Sequence, residues 1–265
     1  LGHTPFGHLG EAFLDEVAPG GFAHAAQSLR IVDLLEKEGR GLNLTYEVRQ
    51  GILFHSKPRG DLLAAGGGCR GPRRSPGDAA LPNGAALTLE AQVCRISDAV
   101  AYLNHDIQDA VRAGVLREED LPAEARRLLG TRHAQRIDAM VWDIVEASWA
   151  ATGEVELPPG AHPAITMSPR MRRVTNLLRE ILFQRVYEPA SRGPEGQCAR
   201  RVLALLYHHF LEHPEAMSPD FPRREGEPLE RAVVDYLAGM TDQYALRTAE
   251  AIRPGVSRGV FPWPL

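Results

Sequence analysis

Residues 89–114 read LEAQVCRISDAVAYLNHDIQDAVRAG, and this stretch decides the fold class of the chain. Apolar side chains recur in it every three or four positions, at Leu89, Val93, Ile96, Val100, Leu103, Ile107 and Val111. Side chains at this spacing lie on one face of an α-helix. Gly114 is the residue type that commonly follows a helix end. The stretch therefore predicts one long amphipathic helix that stops at Gly114.

The same helical spacing recurs along most of the chain, and sustained alternation of β-branched residues, the pattern of strands, is not found. Ser168 and Pro169 form a typical N-cap and first-turn pair, and Pro214 is expected to close a helix. Further helices are predicted at about 9–18, 22–38, 46–56, 119–129, 132–151, 169–187, 195–213 and 228–252. The predicted fold class is all-α.

Composition narrows the function classes only coarsely. The chain has 265 residues, enough for one large domain or two small ones. Its 30 Lys and Arg against 34 Asp and Glu give no general positive field for nucleic acid, although a local patch is compatible with this balance. The sequence has no apolar run of the roughly 18–20 residues that span a bilayer, so we predict a cytoplasmic protein. The three cysteines lie far apart, which suggests reduced thiols.

One segment departs from the helical pattern. Residues 59–86 read RGDLLAAGGGCRGPRRSPGDAALPNGAA, which is rich in Gly and Pro and predicts a mobile loop. Arg70, Arg73 and Arg74 in this loop are compatible with a polyanion contact, but composition favours a solvated insertion.

The opening residues LGHTPFGHLGE bring His3, His8 and Glu11 into one short stretch. His8 and Glu11 are three residues apart at a predicted helix start, so they share a face. A carboxylate beside an imidazole fixes its tautomer and raises its pKa, which suits a general acid near neutral pH, and His24 in the next helix is a candidate partner. The alternative interpretation is a surface helix pair and a buried histidine without catalytic role.

The long helix carries a second polar set. Asp98, Tyr102 and Asp106 follow one another at four-residue steps and so line one face, nearly opposite the apolar stripe. Such a row is suited to a metal ion and a polar ligand, but a plain solvated face has the same pattern.

Together these blocks resemble the bacterial branch of the HD-domain deoxyguanosine triphosphate triphosphohydrolases. The likeness runs almost to the C-terminus and is carried by LGHTPFGH with Gly10 and Glu11, GGFAHAAQSLRIV at 20–32, GLNLTYEVRQGILFHS at 41–56, residues 89–114, and DYLAGMTDQYA at 235–245. The resemblance implies an HD-domain helical bundle at 1–115 that lacks its N-terminal helices, with a C-terminal helical region at 116–265 packed on it.

The resemblance also implies a site. In the family a His, a His-Asp dyad and a distant Asp bind a divalent metal, Mn²⁺ or Mg²⁺. Asp98 matches the distant Asp, and the dyad directly precedes the Leu-Gly-His with which this chain opens, so we expect the other ligands before Leu1 and the chain to be a fragment. The remaining implied roles are catalytic for His8, Glu11 and His24, sugar or phosphate binding for Tyr102 and Asp106, and a place near the phosphates for His3.

The implied reaction is hydrolysis of a deoxynucleoside triphosphate to deoxynucleoside and intact inorganic triphosphate. The family also implies a homo-oligomer and allows an activating nucleotide. Two alternatives stay open: a non-catalytic nucleotide-binding or regulatory protein, and an HD-type phosphohydrolase that acts on another phosphoester. The catalytic interpretation requires that the histidines and the acidic row meet in one pocket.

Overall fold

The computed structural model describes residues 1–56, 61, 63, 88–224 and 226–258. These residues form α-helices with short 3-10 and π turns, and no strand occurs among them. The predicted all-α class is therefore confirmed. Apart from positions 61 and 63, the predicted insertion at 59–86 lies outside the described residues, and so do its three arginines.

The α-helices are numbered here in chain order. They are α1 His8–Val17, α2 His24–Arg30, α3 Glu36–Gly39, α4 Tyr46–Phe54, α5 Leu89–Arg112, α6 Ala123–Leu129, α7 His133–Ala147, α8 Pro169–Leu182, α9 Glu188–Arg192, α10 Pro194–Glu212, α11 Leu229–Ala238 and α12 Asp242–Ile252. Two π turns, Ile31–Leu35 and Phe183–Tyr187, follow α2 and α8, and 3-10 turns lie at Glu118–Asp120, Trp149–Thr152 and Pro214–Ala216.

The chain divides into two compact units. Within its described part, unit 1 comprises residues 1–49 and 190–258, and unit 2 comprises the residues from 50 to 189. The predicted division at residue 115 stays a prediction. Within the same part of the chain, no helix has the length and apolarity needed to cross a membrane.

Unit 1 is built around α10, which packs against α1, α11 and α12. The core side chains come from all four helices and include Leu14, Val202, Leu206, Val233 and Ala249, each less than 1% exposed. Burial of such side chains stabilises a fold by roughly 1.5–3 kcal/mol for each Val or Leu. The packing fixes α1, and with it the first turn that carries His8.

Unit 2 is built around α5, which packs against α7 and α8. Ile96, Val100, Leu103 and Ile107 of the predicted stripe are buried, whereas Val93 nearer the helix start is 46% exposed. The helix ends before Gly114, whose φ of +71° favours glycine. The amphipathic pattern therefore predicted the buried face of α5 from Ile96 to Ile107.

The predicted helix ends are partly confirmed. The Ser168 hydroxyl accepts a hydrogen bond from the Met171 N–H at the start of α8, and α10 ends two residues before Pro214. The single helix predicted at 228–252 is wrong, because the Thr241 hydroxyl accepts from the Tyr244 N–H and starts a new helix. A helix at 119–129 is also wrong in its first turn, since α6 begins only after Pro122.

Candidate functional site

A glycine-dependent turn sets the position of the first polar cluster. Gly7, the residue before α1, has a φ of +54° and a ψ of −126°. Residues other than glycine rarely adopt this backbone conformation. A Cβ atom on Gly10 would lie 2.0 Å from the Pro5 carbonyl oxygen. The turn therefore requires both glycines, and it places His8 and Glu11 in the first turn of α1.

Glu11 joins two histidines. Its Oε1 accepts hydrogen bonds from the His24 backbone N–H at 2.9 Å and from the His24 ring Nδ1 at 2.8 Å. Its Oε2 lies 4.0 Å from the His8 Nδ1. The structure therefore brings His8, Glu11 and His24 together, and the closer pair is Glu11 with His24, not Glu11 with His8.

The charge state of this cluster follows from its contacts. Burial by itself raises the pKa of Glu11, but hydrogen bonds from His24 and His8 outweigh burial and hold that pKa well below its usual range. The carboxyl is therefore ionised at neutral pH and can only accept. Consequently the His24 Nδ1 donates the hydrogen in its bond to Glu11.

His3 belongs to the same cluster through ring stacking. Its ring lies on that of His24, with 4.5 Å between centroids and 25° between planes. Burial, followed by the charge of His24, lowers the pKa of His3. His3 is therefore mostly neutral at pH 7, and its ring covers one face of the His24 ring.

A buried charge network anchors α2, the helix that begins with His24. Asp235 in α11 is 3% exposed and accepts from the Gln27 amide at 2.8 Å, from the Arg30 Nε at 2.8 Å and from Arg231 at 2.7 Å. Arg30 also pairs with Glu227. Sequence reasoning missed this network, because nothing in the local pattern around Asp235 marks it as buried.

A second polar cluster lies in unit 2, around Asp106. The Tyr187 hydroxyl donates a hydrogen bond to the Asp106 carboxylate, and the rings of Tyr102 and Tyr187 have centroids 6.3 Å apart. Burial raises the pKa of Tyr102 to about 12. Burial and the hydrogen bond to Asp106 also raise the pKa of Tyr187. Both phenols are therefore neutral at physiological pH and act as hydrogen-bond donors.

Tyr187 is a candidate site residue that sequence reasoning missed, because it donates to Asp106. It ends the π turn Phe183–Tyr187, where the helix that starts at Pro169 changes its hydrogen-bond spacing. A π turn shifts the faces of all later residues, and such turns are frequent at functional sites. The sequence shows only a helix reaching residue 187, so the contact with Asp106 has no local signal.

Arg179 adds a cationic group near this cluster. It lies in α8 and is half-buried, and burial lowers its pKa, while the charges of Asp61 and Tyr187 act in the opposite direction. An arginine remains charged even with a lowered pKa. Arg179 is therefore a further candidate contact for an anionic ligand.

Asp98 lies one helical turn before Tyr102 and is exposed. As predicted, Asp98 and Tyr102 lie on the face of α5 away from the buried stripe, with Asp106 half-buried. Among residues 1–56, 61, 63, 88–224 and 226–258, no group of three or more His, Cys, Asp or Glu side chains is placed to hold a metal ion. Asp98 therefore stands as a single candidate ligand. The role of each predicted site residue, and a shared pocket for the two clusters, stay predictions.

Residues 165–251 match the phosphohydrolase-associated domain. This segment includes Tyr187, which donates to Asp106, and Asp235, which holds the buried charge network that anchors α2. The match covers about one third of the chain, and it describes a helical domain type that is associated with phosphohydrolases.

Three relatives identify the family. Each carries the name deoxyguanosinetriphosphate triphosphohydrolase-like protein. The relative from Caldanaerobacter subterraneus subsp. tengcongensis is 41% identical over 93% of this chain and 62% of its own length. The relative from Desulfatibacillum aliphaticivorans is 35% identical over 100% of this chain and 69% of its own length. The relative from Bordetella pertussis is 36% identical over 93% of this chain and 70% of its own length. This chain belongs to the deoxyguanosinetriphosphate triphosphohydrolase-like family of nucleotide phosphohydrolases, and it spans 62% to 70% of the length of these relatives.

Proposed function

We propose that the protein containing this chain hydrolyses deoxynucleoside triphosphates of the dGTP type to a deoxynucleoside and inorganic triphosphate. In this reaction the oxygen of water bonds to the α-phosphorus, the bond from that phosphorus to the 5′ oxygen breaks, and the 5′ oxygen takes up a proton. The observation that carries the proposal is the hydrogen-bonded pair of Glu11 and His24 beside His8, in a chain of this family.

The imidazole cluster supplies the proton chemistry in this proposal. An ionised Glu11 holds the His24 ring in one tautomer, and it also faces the His8 ring. A histidine held in this way is suited to two roles, protonation of the departing 5′ oxygen and positioning of the attacking water. His3 is assigned to the phosphate chain, because it stacks on His24.

The tyrosine cluster is assigned to the sugar. The Asp106 carboxylate accepts a hydrogen bond from the 3′-hydroxyl, and the rings of Tyr102 and Tyr187 pack against the deoxyribose. Tyr187 holds Asp106 by its hydroxyl, which fixes the direction of the acceptor. Close packing of the two tyrosine rings on the sugar disfavours binding of a ribose, because its additional 2′-hydroxyl has no space or hydrogen-bond partner there.

A divalent metal ion, Mn²⁺ or Mg²⁺, is part of the proposal, with Asp98 as one ligand. Such an ion lowers the pKa of bound water and offsets charge on phosphate oxygens. The described residues fit this role only in part, because Asp98 is one carboxylate and a hard cation needs several oxygen ligands. We therefore expect the present chain by itself to bind Mn²⁺ weakly and to have little activity. A cytoplasmic homo-oligomer that a deoxynucleoside triphosphate activates completes the proposal.

The test uses a protein that includes the residues encoded before Leu1, incubated with dGTP and Mn²⁺. Phosphorus NMR is expected to show inorganic triphosphate, with deoxyguanosine by chromatography. Release of pyrophosphate or single phosphates overturns the reaction. A dNTP-dependent rise in melting temperature without turnover supports a nucleotide-binding protein instead. Turnover only of other nucleotides or phosphodiesters supports a different phosphohydrolase.

A further inference from the structure

A separate group of histidines lies at the C-terminal end of α10. His209 lies in the last turn of α10, and His213 follows the helix as its C-cap residue, with a non-helical φ of −127°. Their ring centroids are 5.0 Å apart and the ring planes meet at 43°. The His213 side chain is 53% exposed. Two imidazoles this close together are candidate nitrogen ligands for a transition-metal ion.

A carboxylate orients one of the two rings. The Glu215 Oε1 lies 3.3 Å from the His213 Nδ1. A carboxylate at Nδ1 keeps the proton on that nitrogen and leaves Nε2 as the donor atom, which is the usual arrangement around a metal-bound histidine. Glu215 is therefore placed as an outer-shell partner of His213, not as a third ligand.

The end of α10 also favours a cation. Its last carbonyls carry the negative end of the helix dipole, and His213 is the C-cap residue. Glu212 and Glu215 add negative charge, whereas Arg223 donates to the Pro214 carbonyl and adds one positive charge nearby. Neutral imidazoles bind transition metals through their nitrogen lone pairs. The local negative charge therefore adds to the metal affinity, and the imidazole nitrogens supply most of it.

We propose that His209 and His213 form a two-histidine site for a borderline transition-metal cation such as Zn²⁺ or Ni²⁺, with Glu215 orienting His213 and water completing the coordination. The site does not depend on the proposed hydrolase activity. It differs in chemistry from Asp98, since carboxylate oxygens suit Mg²⁺ and Mn²⁺ whereas imidazole suits Zn²⁺ and Ni²⁺. Two protein ligands imply a modest affinity, well below that of closed four-ligand zinc sites.

The test is isothermal titration of the metal-free, untagged chain with Ni²⁺ and, separately, with Mg²⁺. Its amino terminus is acetylated, so that Leu1, Gly2 and His3 cannot chelate Ni²⁺ or Cu²⁺ together. His209→Gln and His213→Gln are each expected to weaken Ni²⁺ binding at least tenfold, and Glu215→Gln to weaken it about tenfold. His208→Gln is the matched control. His208 is exposed and one position away, so it points about 100° around the helix from His209.

A second measurement reports the ligands directly. Cu²⁺ added to the same acetylated chain is expected to give an electron paramagnetic resonance spectrum with couplings to two nitrogens. Either histidine variant is expected to reduce this number, whereas His208→Gln is expected to leave it unchanged. Circular dichroism checks that each variant keeps its helices. Equal Ni²⁺ affinity in the wild type, His209→Gln and His213→Gln overturns the proposal, and so does an equal loss in His208→Gln.

Discussion

The His–Glu cluster, defined by His3, His8, Glu11 and His24, and the Tyr–Asp cluster, defined by Tyr102, Asp106 and Tyr187, are built in opposite ways. Glu11 and its partner His24 are 13 residues apart in sequence, whereas Asp106 and its partner Tyr187 are 81 apart. The first cluster comes from one turn and two successive helices. The second needs the packing of α8 on α5 and a π turn at the end of α8.

The two clusters also differ in what they can do with protons. Imidazole titrates near neutral pH, whereas a phenol with a raised pKa stays protonated. Burial raises the pKa of Tyr102 to about 12. We therefore expect the His–Glu cluster to govern turnover and the Tyr–Asp cluster to govern substrate binding and selectivity.

The largest expected effect comes from Glu11→Gln in the longer protein, meaning the protein that includes the residues encoded before Leu1. The neutral amide no longer stabilises a protonated His24, so kcat is expected to fall by about 10²–10⁴-fold. Triphosphate release measures this. Glu16→Gln is the control, because Glu16 lies on the same helix in an exposed pair with Arg200 and such pairs contribute little. A near wild-type kcat in Glu11→Gln would contradict the assignment of turnover to the His–Glu cluster.

The next effect concerns the support of the His–Glu cluster. Asp235→Asn leaves Arg30 and Arg231 without their buried carboxylate, and breaking such a pair costs about 3–5 kcal/mol of unfolding free energy. Urea denaturation followed by circular dichroism measures the loss. Asp220→Asn is the exposed control and should change stability by less than about 0.5 kcal/mol. If both variants are equally stable, the network does not anchor α2.

Tyr187→Phe tests the Tyr–Asp cluster. The change removes the hydroxyl that donates to Asp106, a hydrogen bond to a charged group that contributes about 1.5–3 kcal/mol. We expect kcat/KM for dGTP to fall by at least about tenfold, with KM carrying most of the change and discrimination against GTP reduced. Tyr46→Phe, at an exposed tyrosine at the start of α4, serves as control. A pure loss of kcat in Tyr187→Phe contradicts its assignment to the sugar.

The smallest effect is a pH dependence of stability. The pKa of Glu11 is lowered in the folded chain, so its contribution is present above the ordinary pKa of about 4.5 and is lost as pH falls through the lower folded value. The difference in unfolding free energy between wild type and Glu11→Gln should therefore shrink as pH falls below about 4.5. A difference that stays unchanged as pH falls below about 4.5 contradicts the lowered pKa of the Glu11 carboxyl.

Local patterns predicted much of the fold and part of the candidate site. The stripe on α5 and the Ser168 cap depend on neighbours in sequence, and so does the shared face of His8 and Glu11, so each was readable. Tyr187 and Asp235 acquire their partners only through tertiary packing, and a sequence pattern does not encode such partners. The break at Thr241 was missed because the apolar spacing continues across it and outweighed the cap signal.

The most direct measurement of the central claim is dGTP hydrolysis by the longer protein in water enriched in oxygen-18. Because water is proposed to attack the α-phosphorus, mass spectrometry should find the label in inorganic triphosphate and unlabelled deoxyguanosine. Label in deoxyguanosine, or label in pyrophosphate or single phosphates in place of triphosphate, would contradict the account.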